Sequence, residues 1–159
     1  MQIVILSVGK LKEKYWREAF AEYAKRLSGY VRVQAEEVAD EPAPDNASVG
    51  EIEAILRAEA DRLERHLKPR DGIVVLDRQG KMYSSEAWSQ QFTKLESESY
   101  GRLVFVLGGS YGIHDTILRQ AAVRWSFGPL TLPHQFARIV LLEQIYRGIR
   151  IARNEPYHK

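Results

Sequence analysis

The sequence contains no cysteine, which excludes disulfides, thiolate nucleophiles and cysteine-based zinc sites. It has four histidines, His66, His114, His134 and His158. They are too scattered to read as a metal cluster, and no His-Glu-x-x-His pattern occurs, so no metal is expected. No apolar run approaches the roughly 20 residues of a membrane span, so no membrane partner is expected either. Met1 leads straight into Ile3-Val4-Ile5-Leu6, without a basic region or a cleavage site, which points to the cytoplasm. Internal repeats and low-complexity tracts are lacking. So is any Gly-x-x-x-x-Gly-Lys-Ser/Thr, the loop that cradles nucleotide phosphates.

What is present suits an ordinary globular protein. The 159 residues are 45% hydrophobic and 28% charged, enough for a core without staples and consistent with one domain over residues 1–159. The net charge of +2 hides an uneven distribution. Residues 36–45 carry five acids and no base, whereas residues 10–32 carry seven bases against three acids. From His134 onward there are five bases (Arg138, Arg147, Arg150, Arg153, Lys159) and two acids. Separated basic patches permit a polyanionic partner without requiring one; solvated helix faces read the same way.

The patterning alternates strands and helices. Gln2 to Val8 is nearly all apolar and reads as a central strand. Glu13 to Leu27 places Trp16, Phe20, Tyr23, Ala24 and Leu27 at helical spacing. Val31 to Val38 reads as a strand with one wet face, and Ala39 to Ala47 as an acidic, proline-containing loop. Ser48 with Glu51 makes a capping box for a helix ending near Leu67. Gly72 to Asp77 is a third strand, closed by a turn at Arg78 to Lys81. A helix capped by Ser84 or Ser85 runs to Ser97. Strands at Leu103 to Leu107 and Val123 to Phe127 follow, then a helix from Gln135 to about Arg153. This order predicts an α/β fold, with a mostly parallel sheet covered by helices on both faces. The last helix is apolar around most of its axis, so it is expected to be buried on more than one side. A second copy of the chain is the expected source of the second side.

Two strands each run into a glycine-containing turn, at Gly108-Gly109-Ser110-Tyr111-Gly112 and at Gly128-Pro129. In open α/β sheets ligands bind beyond the carboxyl ends of the strands. The first turn fails the dinucleotide pattern, because Ser110 and Ile113 stand where glycines are needed. It does fit Gly-x-Ser-x-Gly, the nucleophile elbow of α/β-hydrolases. The remaining acids, Asp115, Glu143 and Glu155, are poorly spaced to complete a triad. A third reading is a bent adenosine pocket with Leu76 as one wall. On spacing alone, two tight turns without a ligand fit as well.

The segments LVFVLGGSYG and WSFGPLTLPHQFARIVLLEQIYRGIRIARNEPYHK, with VGKLKEKYW near the start and VVLDRQGKMYSSE in the middle, carry further information. Together they resemble the ribosomal RNA large subunit methyltransferase H family, of the SPOUT (trefoil-knotted) class, over the whole chain. The resemblance implies a deep trefoil knot near the C-terminus, an exception to the rule against threaded loops. It implies a homodimer that transfers a methyl group from S-adenosylmethionine to N3 of a pseudouridine in large-subunit ribosomal RNA, within the ribosome. By position, Leu76, Gly108, Phe127, Gly128, Pro129, Leu130, Thr131 and Leu132 would bind the cofactor.

The same resemblance raises four residues as catalytic candidates. Without it, His134 reads equally as a helix-terminal histidine and Arg147 as half of a surface ion pair. Tyr157 and His158 lie at a chain end, where mobility is the ordinary expectation. With it, Tyr157 and His158 would close over the target base, Arg147 would hold a phosphate or base carbonyl, and His134 or His158 would assist proton loss. Lys10, Lys12, Lys14 and Arg17 would extend the RNA surface through phosphate contacts. A cofactor-free RNA-binding protein remains a competing class.

Overall fold

A computed structural model describes residues 1–157. Its centre is one parallel sheet of five strands: β1 (Gln2–Val8), β2 (Arg32–Val38), β3 (Asp71–Met82), β4 (Arg102–Leu107) and β5 (Val123–Ser126), in the order β2-β1-β4-β3-β5. The helices are α1 (Lys14–Leu27), α2 (Val49–Glu64), α3 (Ser85–Ser97), α4 (Asp115–Leu118) and α5 (His134–Ala152).

The near-continuous apolar strands have two faces to bury, because successive side chains point to opposite sides of a sheet. Ile3, Ile5, Val74, Leu103 and Phe105 pack with α1, α3 and α5. Val4, Leu6, Ile73, Val75, Val104 and Val106 pack with Ala60 and Leu63 of α2 and Ile117 of α4. Trp88 of α3 is fully buried and stacks on Trp125 of β5 at 3.8 Å between ring centroids. The capping box of α2 is formed: the Ser48 hydroxyl accepts from the Glu51 N–H at 3.2 Å, and the Glu51 carboxylate accepts from the Ser48 N–H at 3.1 Å. That helix ends at Glu64, a turn short of the expected Leu67.

Two expectations need correction. The turn at 78–81 does not end the third strand. β3 resumes and pairs with β5 again, so that Leu76 and Lys81 both oppose Trp125. The turn chemistry is real: Asp77 accepts from the Gln79 N–H at 3.1 Å. It makes a looped-out bulge rather than a strand end.

The second correction concerns α5. Its apolar residues are covered largely within one chain, between α1 and α3 and over the sheet. Ile139, Leu141, Leu142, Ile145 and Ile149 are buried, and the Ser89 hydroxyl of α3 donates to the Gly148 carbonyl at 2.6 Å. Most of the all-round apolar pattern is therefore accounted for within one chain, with Phe136 exposed and Val140 half-buried. No helix among the described residues is long and apolar enough to cross a membrane.

Candidate active site

A cavity of about 640 Å³ opens beyond the carboxyl ends of the strands. It gathers Leu76 from β3, Gly108 after β4, and Phe127, Gly128, Leu130, Thr131 and Leu132 after β5. Pro129, expected among them, does not line it. Backbone forms much of the wall. At Gly108 a Cβ would stand 2.4 Å from the Gly112 carbonyl oxygen, so the turn folds back where only glycine fits. Behind the adjacent Gly109 lies Glu59 of α2, 5% exposed. Burial pushes its carboxyl above the usual range, opposed by a hydrogen bond from the Glu41 N–H. On the other wall, the Ser126 hydroxyl accepts from the Gly128 N–H at 3.1 Å. Phe127 meets Trp125 edge-on at 4.9 Å, so the aromatic stack of the core supports this wall.

His134 begins α5 and stands exposed at the cavity rim. Arg147 and Tyr157 do not join it within one chain. Thirteen residues along a helix that rises 1.5 Å per residue put Arg147 about 20 Å from His134. There the Arg147 Nε donates to Glu143 at 3.1 Å, and the Tyr157 hydroxyl donates to the same carboxylate at 3.0 Å. The Arg147 guanidinium lies over the Tyr157 ring at 4.6 Å, and Tyr146 meets that ring edge-on at 4.9 Å. Tyr157 is thus docked on α5, not loose as a chain end suggests. His158 lies outside the described residues.

Burial, the hydrogen bond to Glu143 and that carboxylate's charge push the Tyr157 phenol up to about 12. The bond to Glu143 likewise raises Arg147 above the ordinary guanidinium value. A folded-state pKa above the unfolded value means the docked tail is favoured below pH about 10 and loses that advantage between about 10 and 12. In an ultraviolet titration of wild type against Tyr157→Phe, the difference curve should show one tyrosine ionising near pH 12. Ionisation near pH 10 in that difference would mean the tail is undocked in solution.

The hydrolase reading loses its partners. Ser110 is exposed, and no described hydrogen bond joins it to a histidine. A nucleophile elbow strains its serine, yet Asn154 is the one non-glycine residue with positive φ among those described. Glu155 is engaged by Tyr30 and Arg150 at the far end of α5.

Several cavity residues escaped sequence reasoning. Arg138 of α5, 3% exposed, lines the cavity, pairs with Glu37 and donates to the Gly9 carbonyl at 2.9 Å. An arginine on an otherwise apolar helix stretch was the available signal. Asp77, Arg78 and Gln79 enter through the β3 bulge, and Arg124 from β5 beside it. The loop after β1 reaches the same region, because the Lys12 N–H donates to Gln135 at 2.8 Å and the Leu11 N–H to Glu37 at 2.9 Å. Arg17 donates to the Leu11 and Lys12 carbonyls. Lys12 is thus tied through its backbone to Gln135 of α5, while Lys14 pairs with Glu18.

His114 is buried and caps α4, which leaves the glycine turn. Its Nδ1 accepts from the Thr116 N–H at 3.1 Å, and Nε2 faces Glu53 at 2.7 Å. An N-cap is worth about 1 kcal/mol. His114→Ala should lose about that much in urea unfolding, and His114→Asn, which keeps a capping acceptor, about half of it. An unchanged midpoint for His114→Ala would refute the cap.

A solved structure titled "The structure of a probable methylase family protein from Haemophilus influenzae Rd KW20" is similar to this chain, with a TM-score of 0.53 at 11% identity, over 99% of this chain and 70% of that one. At that identity the likeness is one of fold. The family model described as "Predicted SPOUT methyltransferase" matches residues 1–158, nearly the whole sequence. The chain belongs to the SPOUT methyltransferase family, whose members generally use S-adenosylmethionine, and it is a methyltransferase.

Proposed function

We propose that this protein methylates N3 of a pseudouridine in large-subunit ribosomal RNA, on the assembled ribosome, using S-adenosylmethionine and acting as a homodimer. One observation carries the reading. The two glycine turns and the leucine-proline-histidine segment, separate in sequence, converge on one cavity with His134 at its rim. The cavity suits the cofactor: apolar walls at Leu76, Phe127 and Leu132, and a backbone fold at Gly108 that a Cβ would obstruct. The trefoil knot belongs to the same proposal.

When bound, S-adenosylmethionine supplies a methyl group on a positively charged sulfur, and transfer needs a nucleophile in line with that bond. The imino nitrogen of the base is a poor nucleophile while protonated. Assistance to proton loss is worth about 10²–10⁴-fold, and alignment can contribute more. In this reading His134, exposed at the rim, takes that proton, with His158 the alternative. Arg147 supplies a cation for a phosphate or a base carbonyl. Tyr157, neutral at ordinary pH, serves by stacking or donating a hydrogen bond.

The separation of about 20 Å between His134 and Arg147 supports the dimer in a new way. A second copy would bring its Arg147 and Tyr157 to the first copy's cavity. Tyr15 and Phe136 are exposed, and Trp16 lies against Phe136 at 5.4 Å, an aromatic patch suited to such a contact. Calorimetry with S-adenosylmethionine tests the reading at its base. One site per chain is expected; no heat of binding, with or without ribosomes, would favour a cofactor-free RNA-binding protein.

A further inference from the structure

The β3 bulge is built around one residue the mechanism does not use. Residues 77–80 are looped out between two pairings with Trp125. Asp77 holds the bulge from inside: its Oδ1 accepts from the Gln79 N–H at 3.1 Å, and its Oδ2 accepts from the Arg124 Nε at 2.8 Å. Gly80 closes it, since a Cβ there would stand 2.5 Å from the Arg124 carbonyl oxygen. Bulges beside active sites commonly re-aim a side chain. Here the side chain is Arg78, exposed and lining the cavity. Asp77 and Arg124 neutralise each other, whereas no described hydrogen bond or ion pair engages Arg78.

We infer that Arg78 is a positioning residue for the RNA, taking a phosphate oxygen of the nucleotide chain as it crosses the cavity mouth. Lys10 and Lys12 lie in the loop that follows β1, whose last residue, Val8, lines the cavity. Arg78 flanks it on the β3 side, two strand spacings or about 10 Å across the sheet. A polyanionic backbone laid over the opening meets a cation on either rim. The cofactor's own carboxylate is the less suited partner, because Arg78 is exposed, whereas the apolar lining residues Leu76, Phe127 and Leu132 are half-buried. The assignment rests on the RNA methyltransferase reading.

The test uses the full-length protein, tritiated S-adenosylmethionine and ribosomes, with Arg78→Gln, Arg78→Lys and Arg65→Gln compared. Arg65 is exposed beyond the far end of α2 and controls for net charge. For Arg78→Gln the KM for ribosomes should rise about tenfold, and the slope of log affinity against log salt should fall by about 0.7–0.9, the loss of one phosphate contact. Its kcat and cofactor affinity should stay within threefold. Arg78→Lys should recover most of the KM, and Arg65→Gln should match wild type. Unchanged KM and slope in Arg78→Gln, with an active wild type, would overturn the Arg78 assignment alone. A tenfold loss of cofactor affinity would also overturn it, assigning Arg78 to the cofactor's carboxylate. A wild type that labels no ribosomal RNA would overturn the functional reading and this assignment with it.

Discussion

Gly108→Ala is expected to weaken S-adenosylmethionine binding by about 10- to 100-fold. The new Cβ would meet the Gly112 carbonyl oxygen at 2.4 Å and the Ile113 side chain at 2.8 Å. Turning the Ile113 side-chain end relieves the second overlap but not the first, because the nearest atoms, the Gly112 carbonyl oxygen and carbon, belong to the returning backbone. The turn must open, at a cost typical of overpacking, about 1–3 kcal/mol, and each 1.4 kcal/mol is tenfold in affinity. Some of the strain also appears as lost stability. Thr131→Arg therefore makes the same test without touching the turn: Thr131 is exposed and lines the cavity, so the longer side chain obstructs the site while leaving the core intact. Calorimetry on both variants checks the prediction. Affinities within threefold of wild type for both would place the cofactor elsewhere.

Deleting Tyr157 to Lys159 is expected to lower methyl transfer by about 10²–10⁴-fold, the range of a lost acid–base or substrate-orienting group, with cofactor affinity within threefold of wild type. Tyr157 docks on Glu143 and Arg147, far along α5 from the cavity of its own chain. The same geometry gives a sharper expectation. Thr131→Arg and the truncated protein should each be inactive alone and should complement each other when mixed. Random assortment into two-fold dimers would restore about one quarter of the wild-type rate, since each mixed dimer holds one complete site. Turnover unchanged by truncation would remove the tail from the mechanism. Inactive mixtures, with mixed dimers confirmed by mass spectrometry, would show that each chain completes its own site.

Much of the frame was legible because its signals are local. The runs Ile3 to Leu6 and Ile73 to Val75 mark buried strands by composition. Ser48 and Glu51 mark a helix start within four residues, and their hydrogen bonds are formed as expected. The glycine turns stand out because backbone geometry there constrains one residue at a time. What could not be read depends on pairing at a distance. The β3 bulge is a matter of register against β5, and no local pattern distinguishes a strand end from a loop-out that resumes. Tyr157 docks through Glu143, fourteen residues back, and its identity as a chain end suggested the opposite. Arg138 reaches Gly9 across 129 positions. The apolar girth of α5 calls for cover on two sides, but helical periodicity does not say whose. Within one chain α1, α3 and the sheet cover most of it, while Phe136 stays exposed.

The central claim is tested most directly by incubating the protein and methyl-tritiated S-adenosylmethionine with assembled ribosomes, isolated large subunits and naked ribosomal RNA, then mapping the labelled nucleotide by mass spectrometry. The expected result is one methyl group per large-subunit RNA, on N3 of a pseudouridine, with assembled ribosomes the best substrate. Label on another nucleotide, or no label in any of the three, would contradict it.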